Sequence, residues 1–501
     1  MKKLGILFGL LSVLGLCLYF VLREEGDDAG YVSELEMHCA AGLQKPVEEI
    51  ARQYEEEFGV KIKLNFGGSG QLFAKLEVAG GDVYLPADVS YIEKARDENL
   101  VVESIPVSRL TAGIIVAKGN PKNIRSLKDL TRDDVRVVLA ERSAAVGKFT
   151  HKVLEEAAVL EAIDGGVISK MGTVNEVALQ VDIGAADAGI VWDALMPHFK
   201  QSEFVSVPEF EKRQKRATVG VLKSSKNGTA ALKFVRYLTA KNKGAEVFKK
   251  HGFDVQPGDL WAEKPKVVFF SGSMLRPAIQ DQLAIFEERE GCEITVKYAG
   301  CGELVALMRA GDMPDYYASC DMEFMKMVQD KFRKSEVVSG NRIVILVSKG
   351  NPRKIKTLSD LTQSDLKLGI ADRTRSALGT LTYKLLEDER LLEGIEKSGN
   401  LQVLVAKGDD LVNQMQTGAL DVALLYRSNA MASAGIMKHC EIIEIENKKS
   451  FATQPFAIAK KTEHAQLLER LDNFLTNKEG KESFMRYGFF WYKDAVNKTD
   501  E

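Results

Sequence analysis

Six short stretches of small residues are the places where this chain can do chemistry, and they come in two sets of three. The first half carries AAGLQ at 40–44, GGSG at 67–70 and SAAVG at 143–147, and the second half carries SGSML at 271–275, AGCG at 299–302 and RSALG at 375–379. Each follows an apolar run of strand length and precedes a stretch with helical period. The first backbone N–H groups of a helix lack intrahelical partners and lie at the positive end of its dipole. Glycine, serine and alanine in such a turn let an anion come close to those amides. The chemistry expected is capture of an anion by uncharged donors. One loop of this kind is common in any α/β protein, whereas three at matching positions in each half form a set.

The match reflects a tandem duplication. Residues 118–134 read KGNPKNIRSLKDLTRDD and residues 349–365 read KGNPRKIKTLSDLTQSD, identical at ten positions without a gap. Near-constant spacing continues on both sides: Pro46 with Pro277, Gly184 with Gly418, Trp192 with Tyr426, and HGF at 251–253 with YGF at 487–489. A unit of roughly 225 residues is repeated, so function must be asked of each copy.

The elements that must position the loops alternate between strand and helix, which is the pattern of an α/β fold. Pro46 opens a helix whose apolar positions are Val47, Ile50, Ala51, Tyr54 and Phe58 and which Gly59 ends; Pro277, Ile279, Leu283, Phe286 and Gly291 repeat the design. Strands are expected at 60–66 and 293–299, with helices opening near Gln71, Glu303, Lys148 and Thr380. AGIVW at 188–192 and VALLY at 422–426 read as buried strands that each end in a large aromatic residue. A helical stretch from 229 through HGF returns toward the first lobe. Each repeat is therefore expected as two lobes whose loops face a cleft at the strand ends. The expected boundaries are a membrane anchor or signal at 1–22, a linker at 23–34, the first repeat at 35–255, a linker at 256–266, the second repeat at 267–490 and a tail at 491–501.

Charge and composition remove other classes. With 68 basic and 71 acidic residues spread along the chain and a formal charge of -3, no basic tract suits nucleic acid. Residues 4–22 are uncharged, follow Lys2 and Lys3, and precede Arg23, Glu24, Glu25, Asp27 and Asp28. That run is long enough to span a bilayer, and the lysines place the rest of the chain on the extracytoplasmic face. No small-x-small cleavage site follows it, so an uncleaved anchor is preferred to a removed signal. The six cysteines form no disulfide framework or zinc pattern, and Cys292 and Cys301, at the two ends of one strand, should not pair. The six histidines fall at no repeated position, and no serine-histidine-acid set or paired carboxylates recur in both copies. Neither an enzyme nor a cofactor or metal is expected.

The order of AAGL, NFGGSGQL followed by GGDVYLPAD, the GNP turn, SAAVG, GIVW and FKKHGF resembles the periplasmic molybdate-binding proteins of ABC transporters. The resemblance covers each repeat almost end to end. It implies a bilobal type II periplasmic-binding-protein fold in tandem, an oxyanion held by amides, hydroxyls and a tyrosine, and an ABC permease as partner. Carried over by position, it places ligand contacts at Gly42, Ser69 or Gly70, Val146 with Gly147, Val174 and Trp192. In the second copy they fall at Ser273, Cys301 with Gly302, Leu378 with Gly379, and Tyr426. The chain departs from the pattern where Gly42 offers no hydroxyl, Trp192 stands for a tyrosine, and Cys301 replaces serine with a poor donor. Core packing is the alternative reading of Trp192 and Tyr426.

Glu141, Arg142, Glu303, Arg373 and Arg375 at the loop edges are read as solvated. Asn175 and Glu176, with Asp409 and Asp410, either approach a ligand or cap a helix. A site of donors alone suits a fully deprotonated dianion such as molybdate, tungstate or sulfate, because protonated phosphate also needs an acceptor. A membrane-anchored oxyanion sensor, or an interaction module with one degenerate repeat, is the competing function.

Overall fold

The most repetitive stretch of the sequence builds a surface turn. Asn120 takes φ 46° and exchanges two hydrogen bonds with Ile124, its amide nitrogen donating to the Ile124 carbonyl at 2.8 Å and its carbonyl oxygen accepting the Ile124 N–H at 2.9 Å. Asn351, at φ 45°, does the same with Ile355 at 2.6 and 2.9 Å. Asparagine tolerates the left-handed region and mimics a backbone turn, which explains the shared residue without any ligand. The Asp129 and Asp360 carboxylates then accept the backbone N–H groups of Ser126 and Thr357, starting a short 3-10 helix in each copy. The strongest signal of duplication is thus structural.

The computed structural model describes residues 32–256, 258–433 and 435–492. The run at 4–22, read above as an anchor, lies outside them; among the described residues no helix is long and apolar enough to cross a membrane. The chain forms two compact units, the first comprising the described residues up to Leu238 with Lys243–Gln256, the second comprising Thr239–Asn242 and the described residues after 257.

In the first unit two sheets make two lobes. The first sheet runs in the order Asp254–Val255, Val101–Leu110, Lys215–Leu222, Val83–Leu85, Glu34–Ala40, Lys61–Gly67. The second runs Val167–Met171, Val137–Ala140, Ala188–Trp192, Ala112–Ala117, Ser202–Val205. The chain passes between lobes at Thr111 and again before Lys215, so each lobe is built from separate stretches of sequence. In the second unit the strand Glu336–Ser348 serves both lobes without a break, pairing with Phe451–Ile458 through its first half and Val422–Tyr426 through its second. This joins the two sheets into one of ten strands.

Helix Gln44–Phe58 forms as its apolar spacing requires, burying Val47, Ile50, Ala51 and Tyr54 and ending at Gly59, whose φ of 67° an L side chain rarely adopts. Burying each large apolar side chain contributes about 1.5–3 kcal/mol. The prolines correct one sequence equivalence. Helix Arg276–Glu290 ends at Gly291 after the same fifteen residues, so Pro277 matches Lys45 and Pro46 matches Ala278. All four loop helices also start earlier than expected, at Ser69, Cys301, Ala145 and Ala377. Their small residues are the first helical turn, kept small by what packs against them.

Helix Ala145–Glu156 carries a titratable group into the core. His151 is buried, its Nδ1 has no hydrogen-bond partner, and desolvation followed by the Arg142 charge and Lys170 holds its pKa below the usual value, against Asp164 and Glu155. A histidine depressed in the folded state is neutral at neutral pH, so its favourable contribution is present above the unfolded pKa near 6.5 and is lost as pH falls from there through the lower folded value. The first unit should melt lower at pH 5.5 than at 7.5, and His151→Leu should shrink that difference. An unchanged pH dependence in the variant would exclude His151 as the cause.

Candidate functional site

In the first unit the three loops and the end of strand Ala188–Trp192 converge on one cavity of ≈ 10 Å³, which Gly42, Ser69, Val146, Val174 and Trp192 line together with Gly68, Ala87 and Thr173. The cavity is small and narrow in this closed form. None of the lining side chains is ionised. The Ser69 hydroxyl accepts the Ala87 N–H at 3.2 Å, which leaves its own hydrogen to donate. Helices Ser69–Ala79 and Ala145–Glu156 begin at the cavity wall; the Gln71 side-chain oxygen accepts the Gly68 N–H at 3.2 Å before the first, and no side chain caps the second. Trp192 is both core and lining: it is 1% exposed, stacks on Phe149 with centroids 6.0 Å apart, and turns its Cδ1 edge toward Gly42.

Two of the expected contacts lie elsewhere, and the reason is close packing. The Gly70 N–H is spent on the Ser143 carbonyl at 2.7 Å, a main-chain bond from one lobe to the other. Gly147 is pressed against the strand before it, where an added Cβ would stand 1.9 Å from the Glu141 carbonyl oxygen. Asn175 neither caps nor lines; its side-chain amide donates to the Ala41 carbonyl across the cleft at 2.9 Å. Glu176 caps its helix with Thr173, accepting the Thr173 N–H at 2.8 Å. Gly42 is also explained by the facing lobe, because a Cβ there would meet Val174 Cγ1 at 3.1 Å. The cleft is closed.

The second unit repeats the architecture around a cavity of ≈ 20 Å³ lined by Ser273, Cys301, Leu378 and Tyr426, with Cys320, Ser376, Lys407 and Asn429. Gly302 and Gly379 lie off the lining as their counterparts do, their Cβ positions 2.6 Å from the Thr374 carbonyl and 2.0 Å from the Asp372 carbonyl. The register corrects the first loop. Ala40 pairs with Gly67 as Gly272 pairs with Ala299, so Ser273 stands where the first copy has Ala41, and Met274 answers to Gly42. The Ser273 hydroxyl and the Tyr426 phenol are buried without partners, and Tyr426 is 2% exposed. Burial first, then the nearby Asp321, Cys320 and Cys301, raises the Tyr426 pKa well above the usual range, so it remains a donor. Glu141, Arg142, Glu303, Arg373 and Arg375 are exposed and line neither cavity.

Sequence reasoning missed Thr173, Ala87, Cys320, Ser376, Lys407 and Asn429. Cys320 was within reach: the PAD of GGDVYLPAD at 86–88 aligns with SCD at 319–321, one residue past each short strand. Larger hollows of ≈ 420 Å³ around Asp315 and Lys460 and ≈ 500 Å³ around Arg333 and Glu469 lie away from all six loops.

Two mixed-sheet lobes closing on a small cavity at helix starts, twice in one chain, define a tandem solute-binding protein of the bilobal type II class. The chain belongs to the bacterial extracellular solute-binding protein family, whose sequence model matches residues 35–254 and again 267–490. A putative binding protein of Haemophilus influenzae is 28% identical over 230 residues, spanning 44% of this chain and 91% of that protein. The molybdate-binding protein ModA of Mycobacterium tuberculosis is 31% identical over 220 residues, 43% of this chain and 82% of its own length. A solved substrate-binding domain of a putative molybdenum ABC transporter from Clostridium difficile is 25% identical, covering 44% of this chain and 98% of that domain with a TM-score of 0.35. Each match has the length of one repeat.

Proposed function

We propose that the first cleft captures a doubly charged tetrahedral oxyanion, molybdate or tungstate before sulfate, and delivers it to an ABC-type permease. The observation that carries this reading is the lining itself: amides at helix starts, the Ser69 hydroxyl and the Trp192 edge, with no carboxylate to accept a proton from the ligand. A fully deprotonated dianion only accepts hydrogen bonds, so such a lining suits it, while protonated phosphate lacks the acceptor it needs. The relatives named as molybdate-binding agree with this choice. In the same reading residues 4–22 hold the chain at the outer face of the cytoplasmic membrane, and no catalysis takes place in the cleft.

Titration of the full chain with molybdate, tungstate, sulfate and phosphate tests this. At a hundredfold excess over Kd the first unit should gain about 2.7 kcal/mol, and its melting transition should rise for the dianions and not for phosphate. Tryptophan fluorescence should change on binding and lose that change in Trp192→Phe. No response to any of the dianions would exclude the assignment.

A further inference from the structure

The second cleft keeps the frame of the first and changes its chemistry at three facing positions. Where the first copy has Ser69, Ala87 and Ala40, the second has Cys301, Cys320 and Gly272. One hydrogen bond is preserved with sulfur in place of oxygen: the Cys320 N–H donates to Cys301 Sγ at 3.1 Å as the Ala87 N–H donates to Ser69 Oγ at 3.2 Å. The glycine makes room for the second sulfur, since a Cβ on Gly272 would stand 2.0 Å from Cys320 Sγ and 3.2 Å from Cys301 Sγ. A methyl group lost at one position is thus matched by a thiol gained at the other. Two buried free thiols face one point on the cavity wall.

We propose that the second cleft binds a trivalent thiophilic oxo acid of the arsenite type by condensation with Cys301 and Cys320, a step that rests on reading both clefts as ligand sites. Sulfur ligands select soft centres over hard oxyanions. A bare soft cation is disfavoured, because helices Cys301–Ala310, Ala377–Asp388 and Gly408–Gln416 all begin at this wall with no side-chain cap, and Lys407 lines it too. An uncharged hydroxide of trivalent arsenic avoids that repulsion. Two As–O bonds break and two As–S bonds form, both thiol protons leave with the hydroxides as two waters, and no atom changes oxidation state.

The remaining As–OH is a small group, fit for a cavity of ≈ 20 Å³, and the unpartnered Tyr426 phenol and Ser273 hydroxyl on the same lining supply its hydrogen bonds. Burial raises the Cys301 pKa, but hydrogen bonds from the Cys320 side chain and amide, Ser319 and Tyr317 outweigh it and leave the thiol below its usual value. Cys320, hydrogen-bonded to Cys301 and buried, is raised and keeps its proton. Cys301 is therefore the thiol of the pair that gives up its proton the more readily as it attacks.

The test uses the full chain, reduced with dithiothreitol, desalted and dialysed against sodium arsenite, with bound arsenic measured by elemental analysis and molybdate titrated in parallel. A single arsenic per chain is expected, with affinity at least about tenfold weaker in Cys301→Ser and in Cys320→Ala, the latter restoring the residue of the first copy. Tyr426→Phe should weaken it about fivefold, the worth of one hydrogen bond. Independently of any variant, arsenite should protect Cys301 and Cys320 from alkylation, mapped by peptide mass, and leave Cys292 unprotected. Arsenic retained by the double variant, or absent from wild type whose two thiols are shown to be reduced, would overturn the proposal. Molybdate bound without arsenic sinks this inference alone, whereas arsenic bound without molybdate sinks the reading of the first cleft and leaves this one standing.

Discussion

Trp192→Ala is expected to lose about 3–5 kcal/mol of first-unit stability, the cost of emptying a large buried aromatic site, together with measurable oxyanion binding. The ring sits at the last residue of strand Ala188–Trp192, opposite Ala112 on the strand that enters the second lobe. It stacks nearly parallel on Phe149, 14° between planes, and Phe149 belongs to the helix whose first turn is the third loop. Removing the indole leaves that helix start without its support, so both the fold of the lobe and the aim of its amides suffer. Trp192→Phe separates the two roles: it should recover most of the stability through stacking while removing the indole N–H. Denaturation followed in the first unit and calorimetric titration of both variants provide the comparison. Wild-type affinity in Trp192→Ala would show that the aromatic edge has no part in the site.

The second large effect concerns closure. In Gly70→Ala the new Cβ would stand 2.7 Å from the Ser143 carbonyl oxygen of the facing lobe and 3.3 Å from the Tyr91 hydroxyl. Main chain on the far side cannot yield as a flexible side chain does, so the closed form is forced open while the open form needs only a small shift of the Tyr91 ring. Gly70 lies in the first turn of helix Ser69–Ala79 and has no positive φ, so alanine is acceptable to its own backbone. Ligand affinity should fall about a hundredfold, equivalent to about 2.7 kcal/mol taken from the closed state, with little change in ligand-free melting. Asn175→Ala, which removes the bond to the Ala41 carbonyl, should act in the same direction and more weakly. If Gly70→Ala binds as wild type, the lobe contact is not part of capture.

The sequence already carried much of this. Helical spacing fixed the faces of Gln44–Phe58 and Arg276–Glu290, and their closing glycines marked both ends, because burial of a stripe and a left-handed terminus depend on local residue types. The same holds for the strand at Glu293–Ala299, which stands where its alternation places it. Less legible was what glycine meant. Gly42, Gly70 and Gly147 all read as openings for an anion, yet the first is small to admit Val174, the second to touch Ser143 and the third to sit on Glu141. Sequence shows that a residue is small; only its neighbour across space shows why.

What the amino-acid order determined alone was the duplication, the alternation of strand and helix, and the placing of uncharged donors at helix starts, since each follows from local pattern. What tertiary structure alone decided was which of those donors share a cavity and what faces them. Cys301 and Cys320 are separated by a helix and a strand in the chain and meet at Gly272 only because parallel strands Glu293–Ala299 and Tyr316–Ala318 flank strand Lys266–Gly272 and end at the same edge. Strand pairing brings together residues far apart in sequence through long-range backbone hydrogen bonds, and no local preference encodes that partner.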